Sequence, residues 1–141
     1  MKNTFQRDLE FGASYENIAI QKISLDNSVI ERPVGKFKEY DFILDGIKYE
    51  VKSDKRAYST GNFCIEFKRA SGTLSGISTT TADYYIYFIV YPGGDYDMYK
   101  ISVSFIKDLI EKKQYHTVYT NWDGSIFYLF GSDFFRYHRV C

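Results

Sequence analysis

The chain has 141 residues, of which 45% are hydrophobic and 26% charged, and its 18 basic and 18 acidic side chains give a formal net charge of zero. A chain of this length can bury a sizeable core without disulfides or metals, so we predict a single domain over residues 1–141. The zero net charge argues against nucleic-acid binding by bulk charge alone, and no apolar run is long enough to cross a membrane.

The N-terminal stretch "MKNTFQRDLE" lacks an apolar signal-peptide core, so we expect a cytoplasmic protein, in the host cell if its origin is viral. The high content of Tyr, Phe, Ile and Lys suits a phage or mobile-element protein. The two cysteines, Cys64 and Cys141, have neither metal-site spacing nor the density of a disulfide framework. We expect both to be plain thiols.

Hydrophobic periodicity predicts one α/β unit. A first helix begins at Thr4, a plausible N-cap, and ends near Lys22, and a strand-like stretch follows at 29–34. Two short strands at 40–45 and 47–53 flank an Asp-Gly turn, and a polar loop then leads to a strand at 63–68. The run "DYYIYFIVY" at 83–91 is the longest apolar stretch, which predicts a central buried strand.

The last third of the chain continues with strands and helices. A strand is predicted at 98–101, followed by a helix from Ser102 or Ser104 to about Lys113. Two late strands near 116–120 and 126–130 flank a turn, and a short helix begins after Ser132. The abundant aromatic residues lie mostly in strand-like runs, so we assign them to the core.

The hairpin around Asp45-Gly46 has a predictable register, because this dipeptide is typical of two-residue hairpin loops. Side chains of a strand alternate between faces, and one face of the hairpin is then entirely apolar, with Phe42, Leu44, Ile47, Tyr49 and Val51. The other face carries Asp41, Ile43, Lys48, Glu50 and Lys52. In this register Asp41 lies opposite Glu50, with about 4.5–5.5 Å between their Cβ atoms.

Two carboxylates at that separation repel each other, and a divalent cation between them would offset the repulsion. Hard cations such as Mg²⁺ favour carboxylate and carbonyl oxygens, so the pattern is compatible with a metal site. The simpler alternative is a solvated face on which Lys48 and Lys52 neutralise the two acids.

Asp41, followed after eight residues by Glu50-Val51-Lys52 on a hairpin, resembles the motif of the PD-(D/E)xK, or restriction-endonuclease-like, nuclease superfamily. The nearest patterns are those of Holliday-junction-resolvase-like and phage endonucleases, some of which carry a helical glutamate similar to Glu16 in "GASYE". The resemblance covers roughly residues 10 to 90, and Tyr40 replaces the proline that names the first motif.

The resemblance implies an α/β fold with a restriction-endonuclease-like core, in which helices flank a central mixed β-sheet. It also implies a Mg²⁺-dependent deoxyribonuclease, with Mn²⁺ able to substitute. Asp41, Glu50 and the backbone carbonyl of Val51 would bind the metal ion. Lys52 would position the attacking water, and Glu16 would hold a second metal or a metal-bound water.

DNA is the partner that this resemblance implies. The basic residues that would contact its phosphates are Lys48, Lys55, Arg56, Lys68 and Arg69. The chain leaves little room for a separate recognition domain, which favours a structure-selective or weakly sequence-specific endonuclease. Symmetric cutting of both strands would require a homodimer.

Three alternatives remain open. A second E-x-K, Glu66-Phe67-Lys68, could pair with Asp54 in place of the hairpin motif. The chain could be a catalytically inactive nucleic-acid-binding module of the same fold. It could also be an α/β interaction protein without nuclease activity.

Overall fold

The computed structural model describes residues 4–34 and 39–140, with the backbone alone for residues 4–13. Numbered in chain order, its first sheet contains β1 (Ile30–Glu31), β2 (Phe42–Leu44), β3 (Ile47–Asp54), β5 (Tyr84–Val90) and β6 (Tyr96–Ser102), adjacent in that order. The strands β3 and β5 run parallel, and the other neighbours are antiparallel. The predicted α/β class with a mixed sheet is therefore confirmed.

A second, three-stranded sheet contains β4 (Asn62–Lys68), β8 (Ile126–Gly131) and β7 (Thr117–Thr120), in that order. Three α-helices accompany the sheets: α1 (Thr4–Ile23), α2 (Ala57–Thr60) and α3 (Val103–Glu111). Two short 3₁₀ helices lie at Gly76–Ser78 and Ser132–His138. Within the described chain, no helix has the length and hydropathy required to cross a membrane.

The predicted hairpin register is confirmed. Phe42 pairs with Tyr49 and Leu44 with Ile47. Asp45 and Gly46 have φ values of 50° and 84°, the positive values that a type I′ turn requires. The backbone amide of Val29 donates to Asp45 Oδ1 at 2.8 Å, so the turn is also bonded to the chain just before β1.

Helix α1 covers one face of the five-stranded sheet. Its residues Tyr15 and Ala19 are buried in a cluster with side chains from the hairpin, β5 and β6: Phe42, Leu44, Tyr49, Ile86, Phe88, Val90 and Met98. The predicted apolar face of the hairpin is thus the face beneath α1. Ile47 is the exception, with 38% exposure beside the turn.

The opposite face of β5 packs against the second sheet. Phe63 of β4 stacks on Tyr87 of β5 and on Phe135, with ring centroids 4.5 Å and 4.8 Å apart. Helix α3 adds Ile106 to the same core, and its N-cap Ser102 accepts a hydrogen bond from the backbone amide of Phe105. These aromatic residues are core residues, as predicted.

Some local predictions differ from the structure. The strand expected at 29–34 is limited to Ile30–Glu31, with Pro33 beyond its end. The expected polar loop after β3 contains α2, and the expected final helix is a 3₁₀ helix. The division of the strands into two sheets was not predicted, because it depends on contacts between segments far apart in sequence.

Candidate active site

The polar residues of β3 lie on the face that points away from α1. Glu50 is the register partner of Tyr85, and Lys52 is the partner of Tyr87, so these pairs share one face of the sheet. Tyr85 and Tyr87 belong to the core between the two sheets. The candidate site is therefore at the boundary between the five-stranded sheet and the second sheet.

Asp41 lies near Glu50, but it does not pair with Glu50 across the two strands as predicted. The β2–β3 ladder ends at the pair Phe42–Tyr49, and the amide of Asp41 donates to the carbonyl of Tyr49 at 2.8 Å. Its Oδ2 accepts a hydrogen bond of 2.6 Å from the backbone amide of Val51. The expected cross-strand pair is absent from the ladder, because Asp41 instead provides an acceptor for an amide beyond the end of β2.

This arrangement leaves Asp41 and the backbone of Val51 at the same edge of β3. The amide and carbonyl of one strand residue point to the same side, so the carbonyl of Val51 also faces the side on which Asp41 lies. The Asp41 carboxylate and the Val51 carbonyl are two of the groups that the resemblance assigns to a metal, and they therefore face the same side of β3.

The Glu50 carboxylate is poorly compensated. Its side chain is 15% exposed, Lys52 Nζ lies 3.9 Å from Oε1, and Oε2 is buried without a hydrogen-bond partner among the described residues. Burial raises the pKa of Glu50, Lys52 opposes this effect, and the nearby charge of Asp41 raises the pKa further. A hard cation fits this site, because it would supply a partner for Oε2 and positive charge between the two acids.

Two hydroxyl groups complete the surroundings of Glu50. Those of Tyr85 and Thr80 act to lower the pKa of Glu50, against the effect of burial. The Tyr85 hydroxyl is itself buried and has no hydrogen bond of ordinary geometry to a described residue, and Thr80 Oγ1 donates to the carbonyl of Glu39 at 2.9 Å. Because that donation uses the threonine proton, Thr80 has no second proton to donate to Glu50.

Sequence reasoning did not identify Tyr85 as a site residue. It lies in an apolar run that indicates only a buried strand, and the parallel pairing of β3 with β5 brings it to Glu50. Thr80 lies in a stretch rich in Ser and Thr, in which no pattern distinguishes it from its neighbours. Its burial next to Glu50 gives it a structural role in the site.

Glu16 lies on α1 and pairs with Arg32, whose Nη1 is 3.3 Å from Glu16 Oε1. Arg32 also donates to Asn17 Oδ1 at 3.2 Å. Among residues whose side chains are described, no group of three or more His, Cys, Asp or Glu residues could hold a metal. The structure therefore groups Asp41, Glu50, Val51 and Lys52, and it does not add Glu16 as a third acidic ligand.

The five predicted DNA-contact residues fall into three sets. Lys55 and Arg56 line a cleft of about 420 Å³ together with Lys52. Lys48 lies at the beginning of β3 with its Nζ 5.2 Å from the centre of the Tyr40 ring. Lys68 and Arg69, at the end of β4 and just after it, do not line this cleft.

The competing motif has its aspartate engaged in structural hydrogen bonds. Asp54 Oδ2 accepts from the Tyr87 hydroxyl at 2.5 Å, and Oδ1 accepts from the amides of Arg56 and Ala57 at 2.8 Å and 3.0 Å. Asp54 therefore holds the beginning of α2 in place. Its partner in that motif, Glu66, lies on β4 in the second sheet.

Cys64 also lines the cleft, but its thiol is poorly suited to act as a nucleophile. Burial raises the pKa of the Cys64 thiol to about 11, and the charge of Asp54 contributes in the same direction. Because the thiolate is the reactive form, a thiol that stays protonated at neutral pH is a poor nucleophile.

The grouping of two carboxylates, a peptide carbonyl and a lysine can bind a hard cation and an anionic ester at the same place. Asp41 and Glu50 provide the negative charge, and Lys52 is 41% exposed and therefore accessible to a ligand. Comparison of the chain with protein-family models, with curated proteins and with solved structures finds no match.

Proposed function

We propose that this chain is a Mg²⁺-dependent nuclease that hydrolyses DNA phosphodiester bonds, with Asp41, Glu50 and Lys52 at its centre. The observation that carries the proposal is the state of Glu50, a largely buried carboxylate with a raised pKa, whose Oε2 forms no hydrogen bond of ordinary geometry with a described residue. Proteins rarely bury a charged group without compensation unless a ligand supplies it. The resemblance to the PD-(D/E)xK superfamily implies that this ligand is a metal ion.

The topology supports the finer assignment of the fold to the restriction-endonuclease-like class. The motif lies on a hairpin inside a mixed sheet, with a helix before it and a buried strand parallel to β3 after it. Lys52 follows Glu50 by two residues on β3, so the two side chains lie on the same face of the sheet.

Each residue of the site has a defined task in this proposal. Asp41, Glu50 and the carbonyl of Val51 hold the ion, and Lys52 positions the attacking water and the scissile phosphate. The bound ion supplies charge stabilisation at the phosphate and lowers the pKa of a bound water. Mn²⁺ substitutes because it accepts the same oxygen ligands. Glu16 would join this set only by exchanging its bond to Arg32.

The test is a cleavage assay on labelled duplex, single-stranded, flapped and four-way-junction DNA in Mg²⁺, Mn²⁺ or EDTA. Glu50→Gln and Lys52→Ala should each lower the rate by about 100-fold or more, since each removes a group that acts on the reacting phosphate. Lys112→Ala, which removes an exposed lysine of the pair with Asp108, is the matched control and should cleave normally. Lys68→Ala tests the competing motif.

Cleavage that survives both Glu50→Gln and Lys52→Ala would overturn the assignment of the site. A catalytically inactive nucleic-acid-binding module is the second candidate, and the basic cleft beside Lys52 is the observation that favours it. It predicts DNA binding without hydrolysis in every metal. An α/β interaction protein would show no metal binding by calorimetry. Its calorimetric traces would also be the same for the wild type and for Glu50→Ala.

A further inference from the structure

The cleft beside Lys52 has a composition that points to a particular ligand. Three cations, Lys52, Lys55 and Arg56, line it together with one carboxylate, Asp54. Both oxygens of Asp54 accept hydrogen bonds from the protein, and its single negative charge is outnumbered by the three cations of the lining. The cleft therefore presents positive charge next to the candidate catalytic lysine.

The same cleft has aromatic walls. Tyr119 of β7 and Phe127 of β8 line it, and Tyr119 is 42% exposed. Asn121 also lines the cleft, and Trp122, the next residue, is 85% exposed and is the single tryptophan of the chain. The indole ring of Trp122 is thus exposed to solvent on the turn that begins with the cleft residue Asn121.

The turn that carries Trp122 is well bonded. The amide of Asn121 donates to the carbonyl of Ser125 at 2.8 Å, and the amide of Gly124 donates to the carbonyl of Asn121 at 2.9 Å. Asp123 Oδ1 accepts from the amide of Ser125 at 2.9 Å. Because the backbone is fixed on both sides of Trp122, the ring is presented on an ordered turn.

Cations beside exposed aromatic rings are the combination that binds unpaired nucleotides. Lysine and arginine contact the phosphates, and bases stack on aromatic side chains with little dependence on sequence. In an intact duplex the base faces are stacked on one another except at the two ends, so a blunt duplex offers such rings far fewer base faces than a single strand does.

We propose that the cleft and Trp122 form a subsite for an unpaired nucleotide next to the phosphate that is cleaved. The nuclease then acts on DNA with a single-stranded segment, such as a flap or a frayed end, in preference to blunt duplex. The substrate preference rests on the proposed function. The binding of an unpaired nucleotide at this subsite does not require cleavage.

The test measures DNA binding in EDTA, with the fluorescence of Trp122 as the signal. Because it is the single tryptophan, stacking of a base should quench nearly all of the indole emission at this ring. Oligothymidylate and flapped DNA should quench it, and blunt duplex should not. Fluorescence anisotropy of the labelled oligonucleotide measures the affinity of variants that lack the tryptophan.

Trp122→Ala and Tyr119→Ala should each weaken the binding of oligothymidylate by about fivefold or more and leave the weak binding of blunt duplex unchanged. Trp122→Phe keeps a stacking ring and should recover part of the affinity. Tyr137→Ala is the matched control, because Tyr137 is 86% exposed and does not line the cleft.

The two proposals fail in different ways. Metal-dependent cleavage with equal affinity for oligothymidylate and blunt duplex, and no quenching, would overturn the nucleotide subsite and leave the nuclease proposal in place. Quenching by oligothymidylate without cleavage in any metal would support the subsite and overturn the nuclease proposal. Loss of affinity in Tyr137→Ala equal to that in Trp122→Ala would also overturn the subsite.

Discussion

Glu50 combines burial with incomplete hydrogen bonding, which is costly for a carboxylate. Among the described residues, Lys52 at 3.9 Å and two hydroxyl groups act to lower its pKa and so compensate it in part. Stability and function are expected to conflict at such a residue, because a site prepared for a metal ion is strained without it.

Glu50→Gln tests this conflict directly. The variant removes the charge and keeps the size of the side chain, so in EDTA it should unfold at a higher temperature than the wild type. Mg²⁺ should raise the Tm of the wild type and leave that of Glu50→Gln unchanged, because only the wild type binds the ion. Differential scanning calorimetry with and without Mg²⁺ measures both effects.

The control for this prediction is Asp108→Asn, which removes a half-exposed carboxylate on α3. It should change stability by less than about 0.5 kcal/mol in either condition. A Glu50→Gln variant that is less stable than the wild type in EDTA would show that the protein alone compensates the charge.

The raised pKa of Glu50 also predicts a pH dependence. For a carboxyl whose pKa is higher in the folded state, the stabilising contribution is complete below the unfolded pKa and is lost as pH rises through the folded pKa. In EDTA, the advantage of Glu50→Gln over the wild type should therefore grow as pH rises through the folded pKa. Thermal unfolding measured across this pH range tests the sign.

The effect of Mg²⁺ should change with pH in the same interval. Protons compete with the metal for the carboxylate, so the Mg²⁺-induced increase in the Tm of the wild type should shrink as pH falls through the pKa of Glu50. An increase that is independent of pH would indicate that Mg²⁺ binds elsewhere.

At the scale of elements, β3 carries Glu50 and the segment between β4 and β5 brings Thr80 near it. The 3₁₀ helix Gly76–Ser78 packs against β4 and precedes Thr80. Gly76 has a φ of 54°, and a Cβ atom there would lie within 2.1 Å of the carbonyl oxygen of Glu66. This close approach fixes the path of the chain toward Glu50.

Gly76→Ala should therefore be strongly destabilising. Gly72→Ala is the matched control, because Gly72 has a φ of 87° and no atom within 4 Å of the Cβ position. Both variants introduce backbone strain, and only Gly76→Ala adds a backbone clash, so it should cost at least about 2 kcal/mol more than Gly72→Ala. Urea denaturation measures the difference, and equal costs would contradict the close approach.

At the scale of the whole molecule, the aromatic core joins the two sheets. Phe63 of β4 contacts Tyr87 and Tyr99 of the five-stranded sheet and also Phe135, with ring centroids 4.5–4.9 Å apart. The cleft beside Lys52 lies between strands of both sheets, so its shape depends on this packing.

Phe63→Ala should lower the free energy of unfolding by about 3–5 kcal/mol, because it removes a fully buried ring between the sheets. Circular dichroism and tyrosine fluorescence should still report one transition in urea, since the sheets share this core. The Tyr137→Ala variant should differ from the wild type by less than about 0.5 kcal/mol. Separate transitions for the two probes would show that the sheets unfold independently.

The features that the sequence determined by itself are local ones. The Asp45-Gly46 turn and the alternation of apolar residues predicted the register of β2 with β3, because turn geometry and side-chain period act over a few residues. The same local patterns predicted that Asp41, Glu50, Val51 and Lys52 lie near one another. It also located α3, whose N-cap Ser102 is bonded to Phe105 as expected.

Tertiary structure decided the features that depend on distant segments. The parallel pairing of β3 with β5 places Tyr85 beside Glu50, and the separate sheet of β4, β7 and β8 forms one side of the basic cleft. Asp41 Oδ2 accepts a hydrogen bond from the backbone amide of Val51, and the β2 ladder ends at Phe42, two residues short of the predicted strand start at residue 40. These outcomes follow from which strands meet, and no short-range pattern in the sequence specifies that choice.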